Sequence, residues 1–456
     1  MTKMDTVRRP AVPDTAMFGL LLGLLTLVLM TISPLTLVHL GFSYDEPGGN
    51  PLEKIHPATL FAVAIVLLAA ISAGNPLRWV IEQIGTSPVL VLYLGSIALL
   101  IIHSIRVVSL PFTQFFDTFI LPAVVLLLFK DMGNTRARRI ALLIHGLMLV
   151  NALIGIGEFA TGLRLTPIVA SGVVIDDDWR STALLGHPLA NASLTGSYLL
   201  LLVLGGGRDL PWSVRAGLFV ANAAGMIVFG GRAASVLLVA LLAALLLLRF
   251  VAVLRGAPFE KASVLRALVL VPLAALVIVV LAEVGFFDQF INRFVDDKGS
   301  ADTRTEMFEL FRFMSWHDLL LAPDAQLMET LRFRFGLDFG IESFWISFIQ
   351  AYGLLVSLIF FAALIAFSYD LSRRVRPGAV WAFAFFYLVA STSVSLSAKS
   401  PLFAIFVLMV LVLLHKPIPA WRTPHRLSPD RTPSHQPPPA PMRPIPSRAG
   451  PIRSAA

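Results

Sequence analysis

Long apolar runs recur along this chain from one end to the other. Each run holds roughly 17 to 25 residues, the length that an α-helix needs to cross a bilayer core of about 30 Å. The pattern predicts an all-α, polytopic membrane protein with about twelve transmembrane helices. The predicted spans lie near residues 17–40, 58–73, 88–105, 114–129, 139–161, 188–205, 213–230, 232–253, 264–285, 344–368, 378–396 and 401–415.

One long polar segment, residues 286–343, separates the ninth predicted span from the tenth. It holds eleven acidic and six basic residues, and apolar residues recur at helical spacing between Arg304 and Trp316. A connection of this length is either a functional lid or a disordered spacer, and its apolar periodicity favours the lid. We therefore expect a helical extracytoplasmic cap over an active site that the membrane spans build.

The composition excludes several other classes of protein. Hydrophobic residues make up 57% of the chain and charged residues 14%, with a mean hydropathy of +0.80, whereas about 25% of a soluble domain is charged. The chain has no cysteine, which excludes disulfides, thiol catalysis and cysteine-ligated metal sites. The first span is too long for a signal peptide and lacks a small-residue cleavage site, so we expect it to remain as an anchor.

Basic residues collect in the connections on one side of the predicted spans, and the opposite connections are acidic or short. By the positive-inside rule, the N-terminal residues 1–16 and the C-terminal residues 416–456 are cytoplasmic and the cap loop is outside. The spans then occupy residues 17–285 and 344–415. Residues 416–456 carry seven basic residues, one acidic residue and twelve of the thirty prolines. Such a segment cannot bury enough apolar surface to fold, which predicts a disordered tail.

Three arginines occupy outward-facing positions that the positive-inside rule disfavours: Arg180 before the sixth span, Arg232 after two glycines at the start of the eighth, and Arg304 in the cap loop. An arginine at a membrane boundary can simply extend its charge to the lipid headgroups. Alternatively, its planar guanidinium can grip two oxygens of one phosphate. The sequence thus indicates either headgroup contacts or an anion-binding site.

Further polar residues lie near the same predicted face. His187 and Asn191 are one helical turn apart and could face one cavity, or His187 could cap the helix. Glu158 near the outer end of the fifth span is either a packing residue or a functional one, because ionisable groups at membrane depth are costly. The run of three aspartates at residues 176–178 suggests a metal site for nucleotide sugars, but those substrates are not expected outside. We expect no metal and no cofactor.

Five short motifs follow one another along these outward-facing ends. They are Glu158 within residues 152–162, Arg180 followed by Gly186-His187-Pro188 and Asn191, Gly230-Gly231-Arg232, Asp302-Thr303-Arg304, and Glu342-Ser343 before Gly353. In order, spacing and sidedness these motifs resemble the O-antigen ligase and Wzy-type polysaccharide polymerase superfamily. The resemblance extends from about residue 85 to about residue 400.

This resemblance implies a metal-independent membrane glycosyltransferase of the GT-C type in the bacterial cytoplasmic membrane. Its substrates would be an undecaprenyl-diphosphate-linked oligosaccharide and an acceptor glycan at the outer face of the membrane. The lipid bilayer and a chain-length regulator would be further partners, and nucleic acid would not. The family's arginines contact the lipid diphosphate, and this role falls by resemblance on Arg180, Arg232 and Arg304.

One departure from the family pattern concerns the catalytic position. Ligases of this family carry a histidine eleven residues before a glycine, where this chain has Glu342 before Gly353. The resemblance therefore favours the polymerase, an inverting enzyme, with the ligase as an alternative. A carboxylate there can serve as general base or can simply stabilise the start of a helix. If it is not the base, His187, Asp302 and His317 are the next candidates. A polysaccharide or lipid transporter is a further alternative, although we detect no internal repeat.

Overall fold

A computed structural model describes residues 12–44, 49–108, 112–170, 173–175, 178–258, 261, 279, 282–283, 285–295, 306–337 and 340–417. Most of the predicted ninth span, Asp302, Arg304 and the proline-rich tail lie outside these described residues. The first compact unit of the chain, Met1–Pro417, contains every element discussed below.

The regular secondary structure of the described residues is helical apart from one short hairpin, and it includes a one-turn 3-10 helix at Leu310–Phe313. The helices are α1 (Ala16–Thr31), α2 (Pro34–His39), α3 (Pro57–Ser72), α4 (Pro76–Gly85), α5 (Pro88–His103), α6 (Leu121–Phe129), α7 (Asn134–Thr161), α8 (Pro188–Leu201), α9 (Trp212–Val228), α10 (Arg232–Leu254), α11 (Asp288–Val295), α12 (Trp316–Leu321), α13 (Ala325–Arg334), α14 (Phe344–Tyr352), α15 (Leu354–Arg374), α16 (Ala379–Ala390) and α17 (Leu402–Leu413). One-turn π-helices continue α5 and α8 and precede α6, at Ser104–Val108, Leu202–Gly206 and Phe116–Ile120. Strands β1 (Ile168–Ala170) and β2 (Val173–Ile175) pair antiparallel, with Val169 opposite Val174.

Five described helical segments are long and apolar enough to cross a membrane, and a bent pair, α3 with α4, raises the number to six. Five further apolar helices are shorter, from 12 to 17 residues. The chain is therefore a multi-pass helical membrane protein, and the count of twelve crossings stays a prediction.

The predicted tenth span, residues 344–368, is not one helix. It breaks at Gly353, whose φ of 77° lies in the left-handed region that glycine favours. A Cβ atom at this position would lie 2.6 Å from the carbonyl carbon of Leu321, so the end of α12 packs directly against the break. The apolar pattern missed this interruption because both halves are hydrophobic.

Local signals explain where many helices begin. Proline is the first residue of α2, α3, α4, α5 and α8, where its missing N–H costs no hydrogen bond and its fixed φ suits a helix. The residue before it accepts a backbone N–H with its side chain in four of the five, namely Ser33, His56, Asn75 and His187.

Helix α17 lies at the centre of the bundle. All twelve of its residues are buried, and it packs against α6, α7 and α8. A helix that is apolar on every side is typical of such a central position. On the flank, α5 and α15 pack together through stacked aromatic rings, with the Tyr93 and Phe367 centroids 4.3 Å apart.

The described part of the cap loop has a small hydrophobic core of its own. The side chains that form it are Met307, Leu310, Met328, Leu331, Leu337 and Ile341. The amide of Gln350 on α14 donates to the carbonyl of Met307 over 3.0 Å and joins this core to the bundle. The helical character predicted for the loop is confirmed in its described residues.

One end of the bundle gathers the polar positions of interest. Helices α7, α9 and α16 end there, and α8, α10 and α14 begin there. The Ser181 N–H donates to the carbonyl of Val228 over 3.1 Å, and the Trp345 indole donates to Ser391, just after α16, over 2.7 Å. Gly378, just before α16, packs on Leu204, just after α8, so α16 ends on the side where α8 begins. The candidate functional site lies at this end.

Candidate functional site

A buried carboxylate organises the segment between the hairpin and α8. Glu158, in the last turn of α7, accepts backbone N–H groups from Leu165 (2.8 Å), Thr182 (2.7 Å) and Ala183 (2.9 Å). Ala183 has a φ of +42°, an uncommon conformation for a residue with a side chain. The carboxylate therefore holds this segment in a conformation that it would not adopt alone, and Glu158 is a positioning residue.

Two buried asparagines, Asn151 and Asn191, hold the same segment through further hydrogen bonds. The Asn191 amide donates to the carbonyls of Thr182 (2.5 Å) and His187 (3.2 Å), and Asn151 donates to the Asn191 oxygen over 2.9 Å. The Leu184 N–H donates in turn to Asn151 over 3.1 Å. Asn191 is thus fully buried in a hydrogen-bond network, and the expectation that it faces one cavity with His187 is wrong.

Sequence reasoning missed Asn151, although a signal for it exists. Asn151 and Glu158 are seven residues apart, so they lie on one face of α7 two turns from each other. Two polar residues on one face of the apolar second half of α7 indicate a shared polar neighbour, which here is the segment from Ser181 to His187.

Arg180 lies against the turn that carries Arg232. A Cβ atom at Gly230 would lie 2.8 Å from Cγ and 2.9 Å from Cδ of Arg180, so the arginine stem crosses the bare backbone of this glycine. Gly230 also has a φ of 64°, which favours glycine. Two residues later, Arg232 begins α10. The structure thus brings the stem of Arg180 to the turn that precedes Arg232, and a shared anion site stays a prediction.

The two arginines have different electrostatic surroundings. Arg180 Nε donates to both carboxylate oxygens of Asp178, each over 2.9 Å, and both side chains are largely buried. Arg180 Nη2 also donates to the Asp178 carboxylate, over 2.5 Å. Arg232 is half-buried at the N-terminus of a helix, where the helix dipole disfavours a cation and favours an anion. The N-terminus of α10 and its arginine are together suited to a negatively charged ligand.

His187 is the N-cap of α8 and lies beside these charges. Its Nδ1 accepts the Leu189 N–H over 3.2 Å, which leaves the proton of the neutral ring on Nε2. Desolvation by the surrounding protein and then the positive charge of Arg180 lower the pKa of His187 to about 4, although the residue as a whole is exposed. At neutral pH the His187 ring is therefore uncharged, with Nδ1 engaged at the helix cap and the proton on Nε2.

A pocket of about 250 Å³ opens next to Arg180. The residues that line it are Glu158, Phe159, Gly162, Arg164, Asp178, Trp179, Ser181 and Gln289. The Phe159 ring meets the rings of Trp179 and Phe286 edge to face, with centroids 6.0 and 5.7 Å apart. The start of the cap loop thus forms one side of the pocket. Sequence reasoning missed Arg164, since it follows the end of α7 without a motif around it.

The remaining candidates lie elsewhere. Glu342 is half-buried two residues before α14, at the same end of the bundle. His317 is on α12 with 76% of its side chain exposed and does not line the pocket. Asp302 and Arg304 lie outside the described residues. Within the part of the chain that the structure describes, no group of three or more histidine or acidic residues could hold a metal ion.

Comparison with protein-family models, with curated proteins and with solved structures found no match for this chain. The fold and site define a multi-pass helical membrane protein whose polar site lies at one end of the bundle, in contact with the cap loop.

The role of Glu158 predicts a graded effect on the Ser181–His187 segment. Glu158→Leu leaves three backbone donors without their acceptor, two of them on buried residues, and should lower the opening free energy of the segment by about 2–4 kcal/mol. Glu158→Gln keeps one acceptor oxygen, so its opening free energy should lie between that of Glu158→Leu and that of the native protein. The rate of amide hydrogen exchange at Thr182 and Ala183 measures the opening free energy of the segment.

The matched control is Glu309→Leu, which removes an exposed carboxylate in the cap loop that pairs with Arg312. This change should leave exchange at Thr182 and Ala183 unaltered, because exposed ion pairs contribute at most about 1 kcal/mol. Native-like protection in Glu158→Leu would contradict the positioning role.

Proposed function

We propose that this protein is a polysaccharide polymerase of the bacterial cytoplasmic membrane. It transfers a glycan from undecaprenyl diphosphate to an acceptor sugar hydroxyl at the outer face, within a bundle of twelve spans whose termini are both cytoplasmic. The observation that carries the proposal is the position of Arg180, whose stem lies on Gly230 two residues before Arg232.

The proposed reaction explains why two guanidinium groups are needed at this place. When the acceptor oxygen attacks the anomeric carbon, the bond from that carbon to the diphosphate breaks and negative charge accumulates on the leaving group. Fixed cations at the position where charge develops stabilise the transition state more than the ground state. Guanidinium groups supply this stabilisation, so the proposed step needs no metal.

Asp178 has a defined part in this proposal. Its carboxylate holds the Nε edge of Arg180 and so fixes the orientation of the guanidinium. Because charged hydrogen bonds to phosphate are strong, a diphosphate can share the remaining edge of Arg180 with this carboxylate. Neutral His187 can donate its Nε2 proton to an oxygen of the same ligand without adding a charge.

The neighbouring pocket suits a sugar residue of the glycan. Trp179 and Phe159 offer apolar ring surface, and Asp178, Arg164 and Gln289 offer polar groups around it. Ligand sites combine apolar walls with a few polar groups in this way. The described part of the cap loop contributes Gln289, which gives the loop contact with a substrate bound there.

Glu342 is the proposed general base. It would take the proton from the attacking hydroxyl on the side opposite the diphosphate, and displacement from that side inverts the anomeric carbon. The O-antigen ligase remains the alternative, since it needs the same donor and the same leaving-group chemistry and differs in the acceptor.

The phosphate role predicts that Arg180→Ala and Arg232→Ala each lower the rate of polymer formation by about 10²–10³. The assay uses the full chain in lipid nanodiscs with a synthetic undecaprenyl-diphosphate oligosaccharide. Arg312→Ala is the matched control and should retain the native rate, because Arg312 is an exposed cation of the cap loop whose ion-pair partner among the described residues is Glu309.

Each outcome of this assay has a distinct meaning. Longer glycan chains support the polymerase, capture of the glycan on lipid A core supports the ligase, and movement of the lipid without bond formation supports a transporter. Native rates in both the Arg180 and Arg232 variants would refute the phosphate role.

The base role predicts a different kinetic signature. Glu342→Gln should leave the affinity for the lipid-diphosphate donor unchanged and stop transfer, because it removes the proton acceptor but not the cations. Donor affinity and single-turnover transfer are measured on the same nanodisc preparation. Unchanged transfer would exclude Glu342 as the base.

A further inference from the structure

Helix α4 is joined to α3 by a sharp bend. The two helices meet at 110°, with only Ala73, Gly74 and Asn75 between them. Helix α4 therefore leaves the direction of a candidate membrane span and runs nearly across it. Its ten residues are too few to cross a bilayer, which takes about 20.

The residues of α4 divide into three faces. Leu77, Val80, Ile81 and Ile84 are exposed and lie within about 100° of one another around the helix, given its 3.6 residues per turn. Arg78 and Glu82 form an exposed ion pair on a second face. Trp79 and Gln83 are buried on the third face, and α4 packs there against α3 and α5.

The apolar face is too exposed to belong to the protein core. Leu77 keeps 70% of its surface exposed and Ile81 60%, whereas Trp79 keeps 8%. A helix with one protein-facing, one polar and one apolar face needs a third medium besides protein and water, and the boundary between lipid headgroups and acyl chains provides it.

The surroundings of α4 match the chemistry of a lipid surface. Its C-terminal end is held by two cations, because Lys130 donates to the Thr86 hydroxyl over 3.2 Å and Arg374 donates to Ser87 over 3.0 Å. Both cations come from the ends of other apolar helices. Arg374 is also paired with Asp370 over 2.8 Å, so its charge is compensated within the protein, and Lys130 is the cation at this end of the helix that anionic headgroups would attract.

We propose that α4 is an in-plane membrane-surface helix at the basic end of the bundle. Its apolar face, Leu77, Val80, Ile81 and Ile84, enters the lipid, and Arg78 with Glu82 faces water. This arrangement fixes the depth at which α3 and α5 leave the bilayer. It is independent of the proposed enzymatic activity.

The absence of cysteine makes the test direct, because every introduced cysteine is unique. Nitroxide labels are placed by Leu77→Cys, Ile81→Cys and Arg78→Cys in the full chain in nanodiscs of phosphatidylethanolamine and phosphatidylglycerol. All three positions are exposed, so the labels should leave the fold intact. Ile365→Cys, exposed in the middle of α15, is the reference within a candidate span.

Collision with oxygen, which concentrates in lipid, is compared with collision with a water-soluble nickel chelate. The oxygen-to-nickel ratio should be several-fold higher at positions 77 and 81 than at position 78, and should approach the value at position 365. Equal, low ratios at all three α4 positions would overturn the proposal, since the apolar face would then be in water. Protection of positions 77 and 81 from both reagents would also overturn it and would indicate a protein partner or, with dipolar broadening, a second copy of the chain.

Discussion

The candidate site depends on one buried carboxylate and the backbone that it holds. Glu158 takes N–H groups from both sides of the hairpin connection, at Leu165 and at Thr182 and Ala183. Without such an acceptor, these donors would lose hydrogen bonds at a cost of about 1–3 kcal/mol for each buried group. Arg180 precedes the clamped residues and packs on Gly230, just before α10 begins, and His187 follows them as the N-cap of α8.

The balance of charge at this end follows from the same geometry. Arg180 is paired with Asp178, His187 stays neutral at physiological pH, and Arg232 lies where a helix dipole already attracts anions. The charge of Arg180 is therefore compensated by a carboxylate of the protein. An added diphosphate would find donors whose orientation the fold has already set, and such preorganisation is the main source of electrostatic catalysis.

Much of the fold follows from the hydrophobic pattern. The features that this pattern did not predict have physical explanations. Helices occupy the predicted spans that the structure describes, because long apolar runs with proline at their first positions leave few alternatives. The break at Gly353 escaped notice, since it depends on the approach of Leu321, thirty-two residues earlier in the chain. The hairpin β1–β2 was missed for a similar reason, since three-residue strands carry too little pattern to read.

The site residues also divide into those whose position the sequence could predict and those whose role it could not. The proximity of Arg180 to the turn of Arg232 could be predicted, because both lie at helix boundaries on one predicted side. The roles of Glu158 and Asn191 could not, since each depends on which backbone groups come within hydrogen-bond distance. Arg164 lines the pocket only because the chain turns back after α7, and no local motif marks it.

The most direct test of the account is an experimental structure of the full chain in nanodiscs with undecaprenyl diphosphate bound. The account predicts that the diphosphate lies between the guanidinium groups of Arg180 and Arg232, within hydrogen-bond distance of both, with its lipid chain in the bilayer. A diphosphate bound away from these two residues, or guanidinium groups that face separate cavities, would contradict it.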